Sequence, residues 1–228
     1  MQGRALPPPI NPNLKYCRYI EETDMKLMIA SDLHGSATAC KKLLDTFTAS
    51  GAEHLILLGD LLYHGPRNDL PEGYDPKAVI SMLNPFADSL FCVRGNCDSE
   101  VDQMVLNFPM MSETALLLVD GRTWFACHGH RKGANPMEGE LPNLPMGSVV
   151  LSGHTHIPML EQSPRGVLLV NPGSIALPKN GFPPSYVLYE DSVFRLIGTD
   201  GLLLPPVDLL GGPPDESYAP WAKSMHLP

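Results

Sequence analysis

The chain has 228 residues, 43% of them hydrophobic, with 20 glycines and 24 prolines. That composition lies outside the low-complexity range and supplies enough apolar surface for one sizeable core. The net charge of −9 at pH 7 removes any general electrostatic case for nucleic-acid binding, and no apolar run approaches the roughly 18 residues needed to span a bilayer.

The opening residues hold three consecutive prolines and no apolar stretch of the secretory kind. The five cysteines (Cys17, Cys40, Cys92, Cys97 and Cys127) include no Cys-x-x-Cys pair and read as reduced thiols, so a cytoplasmic protein is expected. Four prolines fall in residues 1–24 and six in 200–228, so both ends read as extensions. The folded domain is expected over residues 25–199.

Residues 26–31 form a short apolar run that reads as a buried strand ending in Asp-Leu-His-Gly. Ser36 can cap a helix in which Cys40, Leu43, Leu44 and Phe47 share one face, and Gly51 stops it. Residues 54–58 predict a second strand ending in Gly59-Asp60, and Asp75-Pro76 opens a helix to about Asn84. A third strand over 89–94 ends in Gly95-Asn96-Cys97-Asp98, so the first half reads β-α-β-α-β around a parallel sheet.

The second half is strand-rich. Residues 114–119 and 122–127 flank Asp120-Gly121, a hairpin signal, and further short strands are expected over 149–152, 157–162, 167–170, 185–190 and 193–197. This half suggests a second sheet packed on the first. The class is α/β.

The polar residues at the strand ends are uniform in type: Asp32 and His34, Asp60, Asn96, His128, then His154 and His156. Each group lies by a glycine, and ligands of open α/β sheets gather outside the carboxyl ends of strands. In extended backbone, residues two apart face the same way, so Asp32 with His34, and His154 with His156, would each present two donors together. Imidazole, carboxylate and amide oxygen donors suit two divalent ions such as Mn²⁺, Fe²⁺, Zn²⁺ or Co²⁺ rather than Ca²⁺. Two such ions about 3.5–4 Å apart clamp the oxygens of an in-line displacement at phosphorus.

This series, Asp32-Leu-His34, Gly59-Asp60, Gly95-Asn96-Cys97-Asp98, His128-Gly129 and Gly153-His154-Thr-His156, resembles the calcineurin-like metallophosphoesterase superfamily. The stretches at 31–36, 64–68, 71–76, 93–104 and 171–174 resemble its bacterial YfcE-type phosphodiesterases. The resemblance runs from about Met25 to Ile197. It implies a four-layer α/β/β/α sandwich of two mixed sheets flanked by helices, two divalent ions (Mn²⁺ foremost), and in-line hydrolysis of a small phosphodiester by a metal-bridging hydroxide. It further implies that Asp32, His34 and His156 hold one ion, that Asn96, His128 and His154 hold the other, and that Asp60 bridges them.

Many members carry a His, thought to protonate the leaving group, where this chain has Cys97. Cys97 either shifts substrate choice toward diesters with good leaving groups or simply fills space beside the ions. Asp98 either orients neighbours or caps the next helix. Arg67, on the loop after Asp60, either pairs with a phosphate oxygen or bridges to an acidic surface group, and His64 is a further candidate acid. Two rival readings stand beside the diesterase: a phosphomonoesterase or nucleotide hydrolase on the same site, and a non-catalytic protein-binding scaffold of the same fold. Exposed sheet edges make a homo-oligomer an expected partner arrangement.

Overall fold

A computed structural model describes residues 25–131, 141–199 and 201–210. Leu27–Ala30 (β1) is apolar at every position because both of its faces are covered: Leu27 and Ile29 enter one core, and Met28 and Ala30 enter another. His54–Leu57 (β2) repeats the pattern, with Ile56 facing the first core and Leu55 and Leu57 the second. Between them runs Ala37–Ser50 (α1), whose N-terminus is capped by the Ser36 hydroxyl accepting the Ala39 N–H. Its stripe of Ala39, Cys40, Leu43, Leu44 and Phe47 covers the sheet, each large side chain contributing about 1.5–3 kcal/mol of burial. Gly51 ends the helix in the left-handed conformation, φ 71°.

Pro76–Leu83 (α2) begins where the Asp75 carboxylate accepts the Ala78 N–H, and it passes into a 3₁₀ turn over Asn84–Ser89 before Leu90–Cys92 (β3). A short helix, Glu100–Val105 (α3), follows the third strand, where the sequence suggests a helix after Asp98 without fixing its bounds. Its signal was Ser99 with Asp102, whose carboxylate accepts the Ser99 N–H at 2.8 Å.

Thr114–Val119 (β4) and Arg122–Cys127 (β5) form the expected hairpin, with Asp120 and Gly121 both at positive φ, 48° and 71°. Val149–Leu151 (β6), Pro158–Gln162 (β7) and Leu168–Pro172 (β8) complete a five-stranded mixed sheet ordered β4-β5-β6-β8-β7. Ser185–Glu190 (β9) and Val193–Gly198 (β10) instead return to the first sheet, where β9 runs antiparallel to β1 with Ile29 opposite Val187. The first sheet is therefore also mixed, in the order β11-β10-β9-β1-β2-β3, with seven strands counting β12 beside β10.

The strand labelled β11, Gly201–Leu202, and β12, Val207–Asp208, both pair with β10. The sheet thus continues past residue 199, where the sequence reading ended the domain. The expected extension over 1–24 lies outside the described residues, as do residues 200 and 211–228 of the extension expected over 200–228.

The two sheets enclose the larger core, in which Trp124, Leu151, Val170, Tyr189 and Phe194 are fully buried or nearly so. The second sheet alternates across its thickness: Trp124, Val149, Leu151 and Leu168 face inward, while Phe125, Val150 and Leu169 face outward under Leu141 and Leu144. α1 and α2 pack on the outer face of the first sheet, giving the expected sandwich of two mixed sheets with flanking helices. Among the described residues no helix is long and apolar enough to cross a membrane.

Candidate metal centre

The carboxyl ends of β1, β2 and β3 in one sheet, and of β5 and β6 in the other, open at the same edge of the sandwich. The loops leaving β1 and β2 stay paired beyond the strands: the Asp32 N–H donates to Gly59 O at 3.1 Å and the His34 N–H to Asp60 O at 2.9 Å. The second sheet is tied in where the His154 N–H donates to Asp32 Oδ2 at 3.0 Å. Close approach demands glycine here. A Cβ on Gly95 would lie 2.1 Å from Asp60 Oδ1, and one on Gly153 would lie 2.0 Å from Ser31 Oγ.

Six of the seven expected donors converge. His34 Nε2 stands 3.5 Å from Asp32 Oδ1 and 3.7 Å from Asp60 Oδ2. His156 Nε2 lies 3.3 Å from Asp32 Oδ1 and 3.2 Å from His34 Nε2. His128 Nε2 lies 3.4 Å from Asp60 Oδ2 and 3.2 Å from Asn96 Oδ1. The seventh, His154, is half-buried with its ring 5.1 Å from that of His128, centroid to centroid.

The far nitrogens of these rings fix what the near ones do. Nδ1 of His34, His128 and His156 donates to the carbonyls of Tyr63, Leu58 and Leu177 at 2.9, 2.6 and 2.6 Å. A carbonyl only accepts, so the proton sits on Nδ1 and the Nε2 lone pairs face inward. Lone pairs of His34 and His156 then oppose each other, and Asp32 Oδ1 is buried with no hydrogen-bond partner.

Such an arrangement is repulsive unless a cation lies among the donors. Donor atoms sharing an ion with bonds of about 2.1 Å lie about 3.0–3.4 Å apart, which the shortest of these separations match. The residues present therefore fit divalent ions. Three overlapping groups could each hold one: Asp32 with His34 and His156, Asp32 with Asp60 and His128, and His34 with Asp60 and Cys97.

The electrostatics likewise call for positive charge. Burial opposes ionisation of Asp32, yet His156 and His34 hold its carboxyl well below the usual range. Burial disfavours a charged His128 ring, but Asp60 and Asp32 outweigh it and raise the imidazole to about 9, so without an ion a proton takes the place on Nε2 that a bound cation would claim. His154 goes the other way: burial, then the neighbouring His128, lower it to about 4 and keep its ring neutral.

Asp98 is buried beneath the cavity, where its carboxylate accepts the N–H groups of Asp60, Leu61 and Gly95 at 2.8, 2.9 and 2.7 Å. It orients neighbours, while Ser99 is the N-cap of the helix after it. Burial raises its carboxyl above the usual range, and the three donors offset part of that rise. Cys97 anchors Asp60 through its backbone, N–H to Oδ1 at 2.7 Å, and its Sγ accepts from Asn96 Nδ2 at 3.2 Å. Burial and Asp60 push its thiol well above the ordinary range.

A cavity of about 460 Å³ sits over these groups, lined in part by Asp60, Asn96, Cys97, Arg67 and Lys179. Arg67 is exposed on its rim and, among the described residues, forms no acidic bridge. Arg94 lies 3.6 Å from Glu113 and takes a structural part. His64 packs edge-on between Tyr63 and Tyr74, beside the cavity-lining run from Gly65 to Asn68. His130 sits half-buried beside His128, ring centroids 5.4 Å apart.

Sequence reasoning assigned no role to Lys179, Asn171 or Ser174. Asn171 Nδ2 donates to Gly153 O at 2.8 Å, and the Ser174 hydroxyl donates to Asp32 O at 2.8 Å, so both brace ligand loops. For Asn171 and Ser174 the signal was the Asn-Pro-Gly-Ser run at 171–174.

Residues 25–192 match the model of the calcineurin-like phosphoesterase superfamily domain. The phosphodiesterase YfcE of Escherichia coli K12 is 47% identical over 174 residues, 76% of this chain and 91% of that protein. The solved structure of E. coli YfcE, described as a phosphoesterase, superposes with a TM-score of 0.77 at 44% identity, covering 81% of this chain and 100% of that one. An archaeal phosphodiesterase shares the fold, with a TM-score of 0.57 at 23% identity over 76% of this chain and 99% of its own. A sandwich whose strand ends gather Asp, His and Asn around one buried carboxylate, matched over most of its length, belongs to the calcineurin-like phosphoesterase superfamily.

Proposed function

We propose that this chain is a binuclear-metal phosphodiesterase acting on small phosphodiesters. The observation that carries the reading is the set of inward-facing imidazole lone pairs around the unpaired Asp32 oxygen. Asp32, His34 and His156 would hold one ion and Asn96, His128 and His154 the other, with Asp60 spanning both. In support, Asp60 Oδ2 lies between His34 and His128, while Asp32 Oδ1 lies nearest His156 and His34. When bound, the ions supply an activated water and Lewis-acid charge for the phosphoryl oxygens.

The chain's own residues do the positioning. Backbone carbonyls hold three rings in the ligating tautomer, and Asp98 and the Cys97 N–H fix the Asp60 loop. Asn96 turns its Oδ1 toward His128 and its NH₂ toward Cys97, so these two residues form one wall of the phosphoryl pocket. A thiol donates a proton to a leaving oxygen less readily than imidazole, which favours diesters whose leaving groups need little protonation. Mixed nitrogen and oxygen donors suit Mn²⁺, Fe²⁺, Zn²⁺ or Co²⁺ over Ca²⁺, and metal analysis decides among these four. Four free cysteines among the described residues support a cytoplasmic setting.

The test is metal analysis coupled to hydrolysis of an aryl phosphodiester and the matching aryl phosphomonoester. The diesterase reading expects kcat/KM for the diester to exceed that for the monoester by about tenfold or more, a difference of about 1.4 kcal/mol in barrier. Equal rates would favour a phosphomonoesterase, and purified protein with no bound or restorable metal activity would favour a scaffold.

A further inference from the structure

Lys179 is the feature of the cavity that the ligand scheme does not use. It is exposed, lies on the loop after β8, and its backbone N–H donates to His156 O at 3.2 Å, so its position is tied to a candidate ligand. Arg67 approaches the same cavity from the loop after β2. Among the described residues neither side chain has an ion-pair partner, in a protein whose net charge is −9.

The charge balance says what they are for. Two divalent ions, the carboxylates of Asp32 and Asp60, an ionised water and a singly charged diester sum to zero. Lys179 and Arg67 then leave two positive charges at the mouth, and among the described residues no acidic lining residue but Asp60 answers them. Guanidinium and ammonium groups placed so are donors for phosphate oxygens. We infer that Lys179, with Arg67, is a specificity determinant that recognises a second anionic group, a terminal phosphate carried on one arm of the diester. This inference rests on the phosphodiesterase reading and names its substrate class: diesters of already phosphorylated alcohols, of the nucleotide kind.

The experiment compares two substrates that differ only in that group. They are the p-nitrophenyl ester of thymidine 5′-phosphate and the same ester carrying a 3′-phosphate, each assayed with Mn²⁺-loaded protein. In the wild type the extra phosphate raises kcat/KM by about tenfold, mainly through KM, the size expected of two partly exposed charge contacts. The gain shrinks at high salt. In Lys179→Gln the gain falls to about threefold or less, and Lys179→Arg restores most of it.

A wild type that treats both esters alike would overturn the inference while leaving the diesterase reading intact. So would a Lys179→Gln protein that loses both substrates in equal proportion, since that marks a structural role. A wild type that hydrolyses neither ester overturns both the inference and the reading beneath it.

Discussion

Two sets of non-glycine residues in this molecule take left-handed backbone, and they do so for different reasons. Asp120, Asn180, Asp191 and Ser192 lie in exposed or half-buried turns. Their side chains are short and polar, the types that tolerate positive φ at little cost, and the local sequence alone selects them. Asp32, His34, Asp60, His154 and His156 also have positive φ, between 46° and 66°, yet four of the five are buried and three are histidines. Each such residue costs about 1–3 kcal/mol and persists only where its surroundings over-determine it. Here the surroundings are loops distant in sequence, through Gly59 O, Asp60 O, the Asp32 carboxylate and the Asp98 carboxylate. Strain in the turns is local and dispensable, whereas strain at the centre aims the donors.

The sharpest break of that contrast is Asp60→Asn. Removing the carboxylate shared by both halves of the centre is expected to lower diester kcat/KM by about a thousandfold, the several kcal/mol that metal ions contribute to the transition state. Thermal melting should show the variant folded.

Next comes Gly95→Ala. Its Cβ would meet Asp60 Oδ1 at 2.1 Å and Asp60 N at 2.3 Å, so the Asp60 loop must shift. Activity is expected to fall by about a hundredfold, since an ångström of misplacement costs that much. Steady-state kinetics with matched metal content check it.

Asp98→Asn replaces one acceptor oxygen with an NH₂ facing backbone N–H groups. Stability should drop by about 1–3 kcal/mol in urea unfolding, and activity by about 10–100-fold. Gly121→Ala marks the opposite pole. It puts a Cβ at φ 71° with nothing within 4 Å, so about 1–2 kcal/mol of stability is lost and activity is unchanged.

The same division explains what could be read from the residues. β1 and β2, buried on both faces, announce themselves as apolar runs, and the α1 stripe follows its helical period. Asp120-Gly121 declares a hairpin locally. Asp32, Asp60, Asn96, His128 and the His154–His156 pair were legible as candidates because each follows a strand beside a glycine.

What the sequence withheld is tertiary. The expectation of extended backbone for Asp32 with His34, and for His154 with His156, gives way to left-handed residues that only cross-loop hydrogen bonds sustain. The grip of Asp98 on three N–H groups and the brace of Ser174 on Asp32 join loops that no local pattern links. Lys179 acquires its place through a bond to His156 O. The strands β11 and β12 hid among prolines because each is only two residues long and depends on β10 for pairing.

The central claim, two ions sharing Asp60, is tested most directly by metal stoichiometry under equilibrium titration with Mn²⁺, wild type against Asp60→Asn. The account predicts two Mn²⁺ per chain in the wild type, and in the variant one at most, bound more weakly. Two tightly held ions in Asp60→Asn, or none in the wild type, would contradict it.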